Sequence, residues 1–597
     1  MFNRIKDCKE YPDILKLSNI TSLYKKKGER SSFDNDRGIF NTVKIRSILD
    51  KMIYNDYYDI IDSSMSSSNI GARKNRNIRD HLFVINAIFH EIRERKNENI
   101  DLEIYDVRKC FDKMWSKETA NDIFDVGVKD DTFNLIANSN KSCEIAVKTP
   151  WGSTTPRVEF KNIEMQGGVL TPLKCSVQLD TLGAECLDNP KNSEILYKFK
   201  GCVKIPPLEM IDDILTVTDC GIKSVKMNAL VQSKIECKRL ELSDTKCFKM
   251  HVGQADQYCP SLTVNNKQML STSQQKYLGD IISSDTKLDE NIKMRHDKGL
   301  GIINQIISIL KEVSFGMFYF EIGLLLRITM LVNGILFNTE AMFSIQQRHI
   351  DQLEDCDRIF MRKLFDSGHG TPIESFYIES NTWPLRFIIL GRKFMYYWAL
   401  LRKSEDELVK AVFNVQRKFP SKKKDDWVSE IKGDLKKCNI NFSDEEIKTM
   451  SKYTFKRIIR EAIDLKVICY LIELQGKHSK SKNLVYSSEI QPYLRSNKLS
   501  TENKKMLFKL RSKMFPIKAN FRSLYKDNLN CSLCKDPSTT ENEQHLFMCP
   551  IITNNVNLRE DIKSAKFEDI FSNEEKQEKI AKVFKQISEI YERNKSK

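Results

Sequence analysis

Long hydrophobic runs are missing from this chain of 597 residues. The most apolar segment, residues 315–343, is interrupted by Glu321 and Arg327, whereas a membrane span needs about 20 predominantly apolar residues. We therefore expect a buried helix or helix pair there, and no membrane partner. The N-terminal residues also lack the apolar core of a signal peptide, which predicts an intracellular protein in the nucleus, the cytoplasm or both.

Closely spaced cysteines are scarce, although the chain contains 16 cysteines. Most stand alone, which is typical of reduced thiols in an intracellular protein rather than of a secreted disulfide framework. Acidic residues are fewer than basic ones, 81 against 96, and the formal net charge is +15. This balance favours a polyanionic partner such as nucleic acid, with an anionic membrane surface as the lesser alternative.

The secondary-structure pattern changes along the chain. Residues 1–100 mix turn signals with basic clusters, residues 101–290 alternate strand-like and helix-like runs, and residues 291–525 are predominantly helical. Pro420 and the charges that follow it predict a linker at 419–426. This mixture predicts an α+β fold with more than one domain, since a domain takes about 100–200 residues.

Two acidic features stand out. Asp106 lies between Ile104 and Val107 on a predicted buried strand, and apolar runs bracket the pair Asp212–Asp213, which predicts a hairpin with both acids at its tip. Three carboxylates brought together would raise one another's pKa values, and Mg²⁺ removes that conflict. Two such ions about 3.5–4 Å apart stabilise the attacking and leaving oxygens of a phosphoryl transfer. The alternative is that the acidic pair is a solvated surface turn.

Further motifs surround these acids. Gln166–Gly167–Gly168 predicts a loop whose backbone approaches a flat ligand closely, and a helix is expected to begin at Thr171–Pro172. Lys246 follows the acidic pair, and Tyr277 to Gly279 predicts a turn. In this order the motifs resemble the palm of reverse transcriptases, with Asp106 and Phe111 as the first motif. Two upstream segments resemble the fingers of non-LTR, LINE-like retrotransposons, namely residues 23–40 and 69–88.

The resemblance covers residues 20–290 and implies an RNA-directed DNA polymerase, a nucleotidyltransferase that adds dNTPs to a DNA 3′-OH on an RNA template. It implies a right-hand architecture followed by a helical C-terminal region with a small CCHC zinc element. The expected regions are the N-terminal segment and fingers (1–100), the palm with an antiparallel sheet (101–290), the thumb and helical connection (291–420), the basic helical region (421–525), and the zinc element with a charged helical tail (526–597).

The resemblance also implies roles for the residues that match its motifs. Asp106, Asp212 and Asp213 are the expected catalytic triad and bind two Mg²⁺ ions, with Asp213 the least direct ligand and the Val107 carbonyl as a further contact.

Four other residues are expected to bind the dNTP. Arg37 holds the triphosphate, since its planar fork suits phosphate oxygens, and Gln166 lines the pocket. Phe111 excludes a ribose 2′-OH by its volume, and Lys246 neutralises or protonates the leaving pyrophosphate. From the residues alone, Phe111 is equally a core aromatic, an exposed arginine such as Arg37 is usually only a solvated charge, and an ordinary surface lysine is a competing interpretation of Lys246.

A cluster near the end of the chain offers metal ligands. Cys531, Cys534, His545 and Cys549 can close a tetrahedral Zn²⁺ site, which predicts one structural zinc. His545 and Cys549, four residues apart, would share one face of a helix. Chance proximity of cysteines is the alternative, and a similar CCHC element in many non-LTR polyproteins favours zinc. Residues 503–526 interleave basic and aromatic residues, which suits nucleic acid, unless they form a helix with a solvated basic face.

Other functions compete with this interpretation. An RNA-dependent RNA polymerase shares the palm, but Phe111 and the 23–40 segment favour dNTPs. A group II intron-like maturase is disfavoured by the zinc-type cluster. A domesticated or inactive element that only binds nucleic acid is disfavoured because the aspartates are intact. Non-LTR elements usually carry an endonuclease, and none is recognised here, so we expect the chain to be the reverse transcriptase and C-terminal part of a longer polyprotein.

Overall fold

The computed structural model describes residues 2–595 apart from 27, 33–34, 96–97, 130, 150, 161–163, 254–259, 314–315, 483, 526–527 and 557–573. Parts of the predicted fingers segment 23–40 and of the predicted region 526–597 therefore lie outside the described residues. The chain forms two compact units. The first comprises Met1–Lys287, Ala341–Ser344 and Ala399–Glu430, and the second comprises Leu288–Glu340, Ile345–Trp398 and Ile431–Lys597.

The described strands all belong to the first unit. They are β1 (Leu17–Tyr24), β2 (Asp36–Thr42), β3 (Ile100–Asp106), β4 (Cys143–Val147), β5 (Val158–Phe160), β6 (Tyr197–Phe199), β7 (Val203–Ile205), β8 (Leu208–Met210), β9 (Asp213–Thr218), β10 (Phe248–Val252), β11 (Thr263–Val264), β12 (Lys267–Gln268), β13 (Leu270–Ser271), β14 (Gln274–Tyr277) and β15 (Asp280–Ser283).

Helices occur in both units, and the mixture confirms the predicted α+β class. They are α1 (Phe2–Cys8), α2 (Lys44–Ser64), α3 (Ile78–Glu94), α4 (Cys110–Lys113), α5 (Ser116–Asp125), α6 (Asp131–Asn138), α7 (Thr171–Leu179), α8 (Thr181–Asp188), α9 (Pro190–Ser193), α10 (Gly221–Cys237), α11 (Asp289–Glu312), α12 (Tyr319–Leu326), α13 (Asn333–Ile335), α14 (Gln347–Phe365), α15 (Ile373–Ser380), α16 (Leu385–Arg402), α17 (Leu408–Lys418), α18 (Trp427–Lys437), α19 (Asp444–Thr449), α20 (Lys452–Lys477), α21 (Pro492–Arg495), α22 (Thr501–Arg511), α23 (Arg522–Tyr525), α24 (Glu543–Met548), α25 (Pro550–Asn555) and α26 (Glu574–Lys595).

The central sheet of the first unit has five strands in the order β13-β10-β3-β9-β8. Its pairs are antiparallel except for β10 with β13. Strand β3 is buried along its length until Asp106, which is only partly exposed. Tyr105 and Ile214 pack in one apolar cluster with Met227 and Val231 of α10. This helix therefore covers one face of the sheet and fixes the strands on which the acidic residues lie.

A second sheet has the order β2-β1-β4-β5, with β1 and β4 parallel. Helices α2 and α3 precede the central sheet, in a region where the sequence pattern predicted only turns and basic clusters. In α2, Leu49, Ile53, Tyr57 and Ile61 recur every four residues and are buried. Polar residues between them dilute this signal, which explains why the pattern alone did not reveal the helix.

The second unit is helical in its described part. Long helices such as α11, α14 and α20 confirm the predominantly helical pattern predicted for residues 291–525. The apolar segment 315–343 forms α12, a π-helical turn at Arg327–Val332 and α13, and Phe315 lies outside the described residues. Arg327 is buried and binds both carboxylate oxygens of Asp357 at 2.6 Å, which explains a charge inside this segment.

Two further predictions concern membrane spans and the linker. Among the described residues, none of the helices has the length and apolar character needed to cross a bilayer. The predicted linker at 419–426 is a hydrogen-bonded loop between α17 and α18, and a boundary between the two compact units follows it after Glu430. Its buried Asp426 accepts from the backbone N–H of Ser421 and of Ser429, each at 3.0 Å. The charged run that suggested a linker thus includes the acid that caps α18.

Candidate functional site

Three carboxylates meet at one end of the central sheet. Asp106 ends β3 and lies directly opposite Asp213, the first residue of β9. Met210 of β8 also pairs with Asp213, so that Ile211 and Asp212 form the two-residue turn between β8 and β9. The backbone N–H of Val107 donates to the Asp212 carbonyl at 3.3 Å, which joins the turn to the end of β3. The predicted strand and hairpin are therefore confirmed.

The turn holds Asp212 in place at some conformational cost. Ile211 has φ +57°, a left-handed conformation that is rare for a β-branched residue and costs on the order of 1–3 kcal/mol. Its side chain is partly buried and packs against the core cluster beneath the sheet. This packing offsets the backbone strain and fixes the acid that follows.

The electrostatics of the site reflect crowding of like charges. Burial, followed by the charges of Asp212 and Asp106, raises the pKa of Asp213 to about 6. Burial and the charge of Asp106 likewise raise the pKa of Asp212, against lowering contributions that include Lys246 and Arg37. Because the ionised forms are disfavoured together, the cluster gains free energy from a cation.

Lys246 supplies a positive charge at this place. Its ammonium group donates to both carboxylate oxygens of Asp106, at 3.0 and 2.9 Å. The lysine side chain is 64% exposed and that of Asp106 is 21% exposed. The backbone N–H of Ser243 also donates to the Asp106 carbonyl at 2.8 Å, so the segment carrying Lys246 is bound to the end of β3. The structure thus brings the predicted lysine to the predicted acids.

Arg37 lies on β2 of the second sheet, and Gln166 lies in the loop that is hydrogen-bonded to this strand. Arg37 lies exposed on β2, close enough for its charge to lower the pKa of Asp212. The Gln166 carbonyl accepts from the backbone N–H of Phe40 on the same strand, at 2.9 Å. A Cβ added to Gly167, which has φ +106°, would lie 3.1 Å from the Phe40 carbonyl oxygen. The loop therefore needs glycine to approach β2 this closely.

Phe111 and two cysteines lie beside the triad. Phe111, in α4, is partly buried against the central core cluster. Its neighbour Cys110 lies with its sulfur 3.4 Å from that of Cys175 on α7. The sequence did not point to this contact, since Cys175 lies in a helix whose residues are almost all buried and carries no distinguishing spacing. The contact links the first motif to the helix that follows the glycine loop.

The cysteine and histidine cluster is formed in the second unit. The ligand atoms of Cys531, Cys534, His545 and Cys549 all lie within 4.8 Å of one another. The sulfurs of Cys531 and Cys549 are 3.9 Å apart, and the Cys534 sulfur is 3.5 Å from His545 Nε2. Tetrahedral zinc, with bonds of about 2.0–2.3 Å, places its ligand atoms at about 3.5–3.8 Å from one another. The donor set and its spacing therefore fit one zinc ion.

The local structure differs from the sequence prediction in one respect. Helix α24 ends at Met548, and Cys549 lies in extended conformation between α24 and α25. His545 and Cys549 therefore do not share a helical face, because the chain turns before Cys549. Burial raises the pKa of Cys531 to about 12, so that a thiolate there requires a cation.

A basic cleft of about 740 Å³ lies beside this cluster. Its wall includes the cations Lys480, Lys513 and Arg522, along with one acid, Glu543. The Lys480 ammonium lies 4.1 Å from the ring centre of Phe521. Asn542, which caps α24 by accepting from the His545 N–H, lines the same cleft. Asn542 thus connects the helix that carries His545 to the wall of this cleft.

Comparison with known proteins gives one informative relative. No family model matches the chain. Over 195 residues the chain is 24% identical to the retrovirus-related Pol polyprotein from type-1 retrotransposable element R2 of Popillia japonica. The resemblance predicted from the motifs is confirmed. The match covers 31% of this chain and 27% of the polyprotein, so the chain spans about a quarter of that relative's length.

Solved structures give weaker similarity. Apo telomerase from Candida tropicalis is 12% identical with a TM-score of 0.36, over 69% of this chain and 68% of that one. Telomerase from Candida albicans in complex with a TWJ fragment of telomeric RNA is 12% identical with a TM-score of 0.31, over 60% and 64%. At this level of similarity, function has to be derived from the chain's own residues.

Proposed function

We propose that the chain is an RNA-directed DNA polymerase of the non-LTR retrotransposon type, which extends a DNA 3′-OH with dNTPs along an RNA template. The observation that carries this proposal is the position of Asp106 opposite Asp213 with Asp212 in the adjoining turn. A solvated Asp–Asp turn would not need a third carboxylate from another strand. The partial match to a retrotransposon Pol polyprotein supports the same function.

The acids are the proposed ligands of two Mg²⁺ ions. Their carboxylate oxygens suit this hard cation, with the Val107 carbonyl as a further ligand, and the raised pKa values of Asp212 and Asp213 agree with a cluster that binds cations. When bound, the ions would stabilise the attacking and leaving oxygens of the phosphoryl transfer. Asp106 is the central ligand in this proposal because it faces both other acids, while Asp213 contributes mainly charge.

The remaining residues act on the nucleotide. Arg37, exposed beside the acids, binds the triphosphate with its planar donor fork, and Gln166 borders the base. Phe111 occupies the volume that a ribose 2′-OH would need. Lys246, whose side chain is largely exposed, would leave Asp106 and neutralise the pyrophosphate as it departs. Each of these side chains binds or orients the substrate, and none needs to form a covalent intermediate.

The proposed architecture is that of a right hand. Residues 1–100 form the N-terminal segment and fingers, and residues 101–290 form a palm on the five-stranded sheet. Residues 291–420 are the thumb and helical connection. Residues 421–525 are a basic helical region, and residues 526–597 hold the zinc element and the helical tail.

The cysteine and histidine cluster has a structural role in this proposal. One Zn²⁺ held by Cys531, Cys534, His545 and Cys549 has no open coordination position, so it stabilises the local fold and takes no part in catalysis. The adjoining cleft binds phosphates of the RNA template or target DNA through Lys480, Lys513 and Arg522. Asn542 would connect the zinc site with the cleft, since it caps the helix that carries His545 and also lines the cleft.

Primer extension by the purified chain tests the proposed activity. A DNA primer annealed to an RNA or a DNA template is incubated with Mg²⁺ and either dNTPs or rNTPs. We expect extension on RNA with dNTPs and much less with rNTPs. Preferential use of rNTPs would indicate an RNA polymerase. Binding without extension under every condition would indicate a protein that only binds nucleic acid.

A further inference from the structure

The β4–β5 hairpin carries the most exposed tryptophan of the chain. Trp151 is 87% exposed, whereas Trp427 is fully buried and Trp398 donates its indole N–H to the Met450 carbonyl at 3.0 Å. Trp383 donates to Asp464 at 2.8 Å, and the ring of Trp115 faces the Arg239 guanidinium at 5.2 Å. A tryptophan this exposed presents a large flat face that is available for stacking.

The hairpin is built so that it presents this ring. The backbone N–H of Thr149 donates to the Ser153 carbonyl at 2.8 Å, and that of Gly152 donates to the Thr149 carbonyl at 3.1 Å. Gly152 adopts φ +86°, which a residue with a Cβ rarely adopts. A bridge between Lys148 and Thr154 closes the base of the turn. These contacts fix the backbone at Thr149, Gly152 and Ser153 and leave the Trp151 indole exposed.

Apolar and basic residues share this hairpin with the ring, along with the exposed acids Glu144 and Glu159 at its base. Val147 and Val158 are 41% and 63% exposed on the same hairpin. Lys148 and Arg157 are exposed near its tip, and neither forms an ion pair with a residue that the structure describes. This combination of a flat ring with unpaired cations suits a base next to its phosphates.

The hairpin is also close to the proposed dNTP site. Strand β4 lies two strands from β2, which carries Arg37, a distance of about 10 Å at the usual strand spacing. On β1, Ile20 pairs with Val147 of β4, and Leu23 pairs with Arg37 of β2. Strands β1 and β4 are parallel, so Leu23 lies three residues beyond Ile20 in the direction in which β4 runs to the tip. The tip therefore extends toward the level of Arg37 on the same sheet.

We infer that the β4–β5 hairpin binds an unpaired nucleotide strand, with a base stacked on the Trp151 indole and phosphates bound by Lys148 and Arg157. This surface deepens the proposed function, on which it rests, because a polymerase handles unpaired template next to its active site. The contact is independent of sequence, since every base offers a flat face for stacking. It also discriminates against duplex, in which both faces of a base are already stacked.

Binding of labelled oligouridylate, oligothymidylate and a blunt RNA–DNA duplex to the full chain tests this inference. Trp151→Ala is expected to weaken binding of the single strands by about 5-fold or more, since loss of one base–aromatic stack has effects of this size. Trp151→Phe retains most of the affinity because the smaller ring still stacks. Duplex affinity changes little. Comparing the two single strands distinguishes RNA from DNA as the preferred occupant.

Two control variants separate this hairpin from the rest of the nucleic-acid-binding surface. Trp115→Ala removes another exposed tryptophan and is expected to leave binding unchanged. Asp106→Asn removes a proposed metal ligand and should lose primer extension while it keeps its single-strand affinity. Failure of the polymerase proposal would change the first result, and failure of this inference would change only the binding of Trp151→Ala. Unchanged single-strand affinity in Trp151→Ala would overturn the inference. It would also be overturned if Trp151→Ala abolished self-association in sedimentation without altering RNA binding, because the partner would then be a second copy of the chain.

Discussion

The Lys246 ammonium lies 3.0 and 2.9 Å from the two carboxylate oxygens of Asp106. These residues are 140 positions apart in the sequence, and the ion pair joins the segment after α10 to the end of β3. Any cation that binds Asp106 needs the same oxygens. Lys246 and a divalent ion should therefore compete for this carboxylate, in addition to the proposed role of the lysine in the reaction.

The first prediction follows from this competition. Lys246→Gln should tighten Mn²⁺ binding by about 2- to 5-fold, since an exposed ion pair contributes only about 0.2–1 kcal/mol. Lys246→Arg keeps the charge and should bind Mn²⁺ as the natural chain does. Calorimetry or the electron paramagnetic resonance signal of free Mn²⁺ measures the affinity without any nucleotide. Equal or weaker binding in Lys246→Gln would show that the lysine does not compete with the metal.

The second prediction concerns the sugar. Phe111→Ala or Phe111→Val should increase rNTP incorporation relative to dNTP, because the proposed barrier to a 2′-OH is the volume of the ring. Leu230→Ala is a matched control, since Leu230 is also partly buried against the same core cluster. Both alanine variants should lose stability, but only the Phe111 variants should change the ratio of kcat/KM for the two nucleotides. An unaltered ratio would make Phe111 an ordinary core residue.

The third prediction links pH to stability through Glu103. Burial raises the pKa of this carboxyl from 4.5 to about 7, against hydrogen bonds from Ser224 and Thr216 that lower it. The folded state therefore binds more protons than the unfolded state between about pH 4.5 and 7, and Glu103 makes the free energy of unfolding decrease as pH rises through this window.

Glu103→Gln stays uncharged and should flatten this part of the pH profile, with a gain in stability over the natural chain above pH 7. Denaturant unfolding at a series of pH values measures the free energy of unfolding and its dependence on pH. Glu144→Gln, at an exposed position of β4, controls for the loss of one carboxylate and should leave the slope unchanged. The same slope in Glu103→Gln and the natural chain would contradict the assignment.

The fourth prediction concerns zinc. The purified chain should contain about one zinc per molecule, and Cys534→Ser should lose it because three ligands hold the ion less tightly than four. Local protease resistance around residues 531–549 and nucleic-acid affinity should decrease together, while extension on a short template persists. Cys469→Ser, at an exposed cysteine of α20, should behave as the natural chain. A zinc content well below one per chain, or full affinity in Cys534→Ser, would leave these cysteines without a metal role.

Local features of the site were predictable from the sequence. Apolar flanks predicted the strand that ends at Asp106 and the hairpin of Asp212 and Asp213, because burial on both faces leaves a clear pattern. The end of α24 before Cys549 was also predictable, since Pro550 follows and the residue before a proline is disfavoured in helical conformation.

Contacts between segments far apart in the sequence were harder to predict. The ion pair of Lys246 with Asp106 and the sulfur contact of Cys110 with Cys175 depend on how separate elements pack. Hydrophobic periodicity in the sequence carries no information about such packing. Only the ordered set of motifs, by resemblance, suggested that the lysine belongs with the acids.

The most direct test of the account is primer extension on an RNA template by Asp106→Asn and Asp212→Asn, with RNA binding measured on the same preparations. Each variant removes the charge of one proposed metal ligand, while binding depends on basic surfaces elsewhere. Asp219→Asn, at an exposed acid just after β9, is the matched control and should extend normally. We expect both triad variants to lose extension and to keep nearly full RNA affinity. Extension that persists in either variant would contradict the assigned active site.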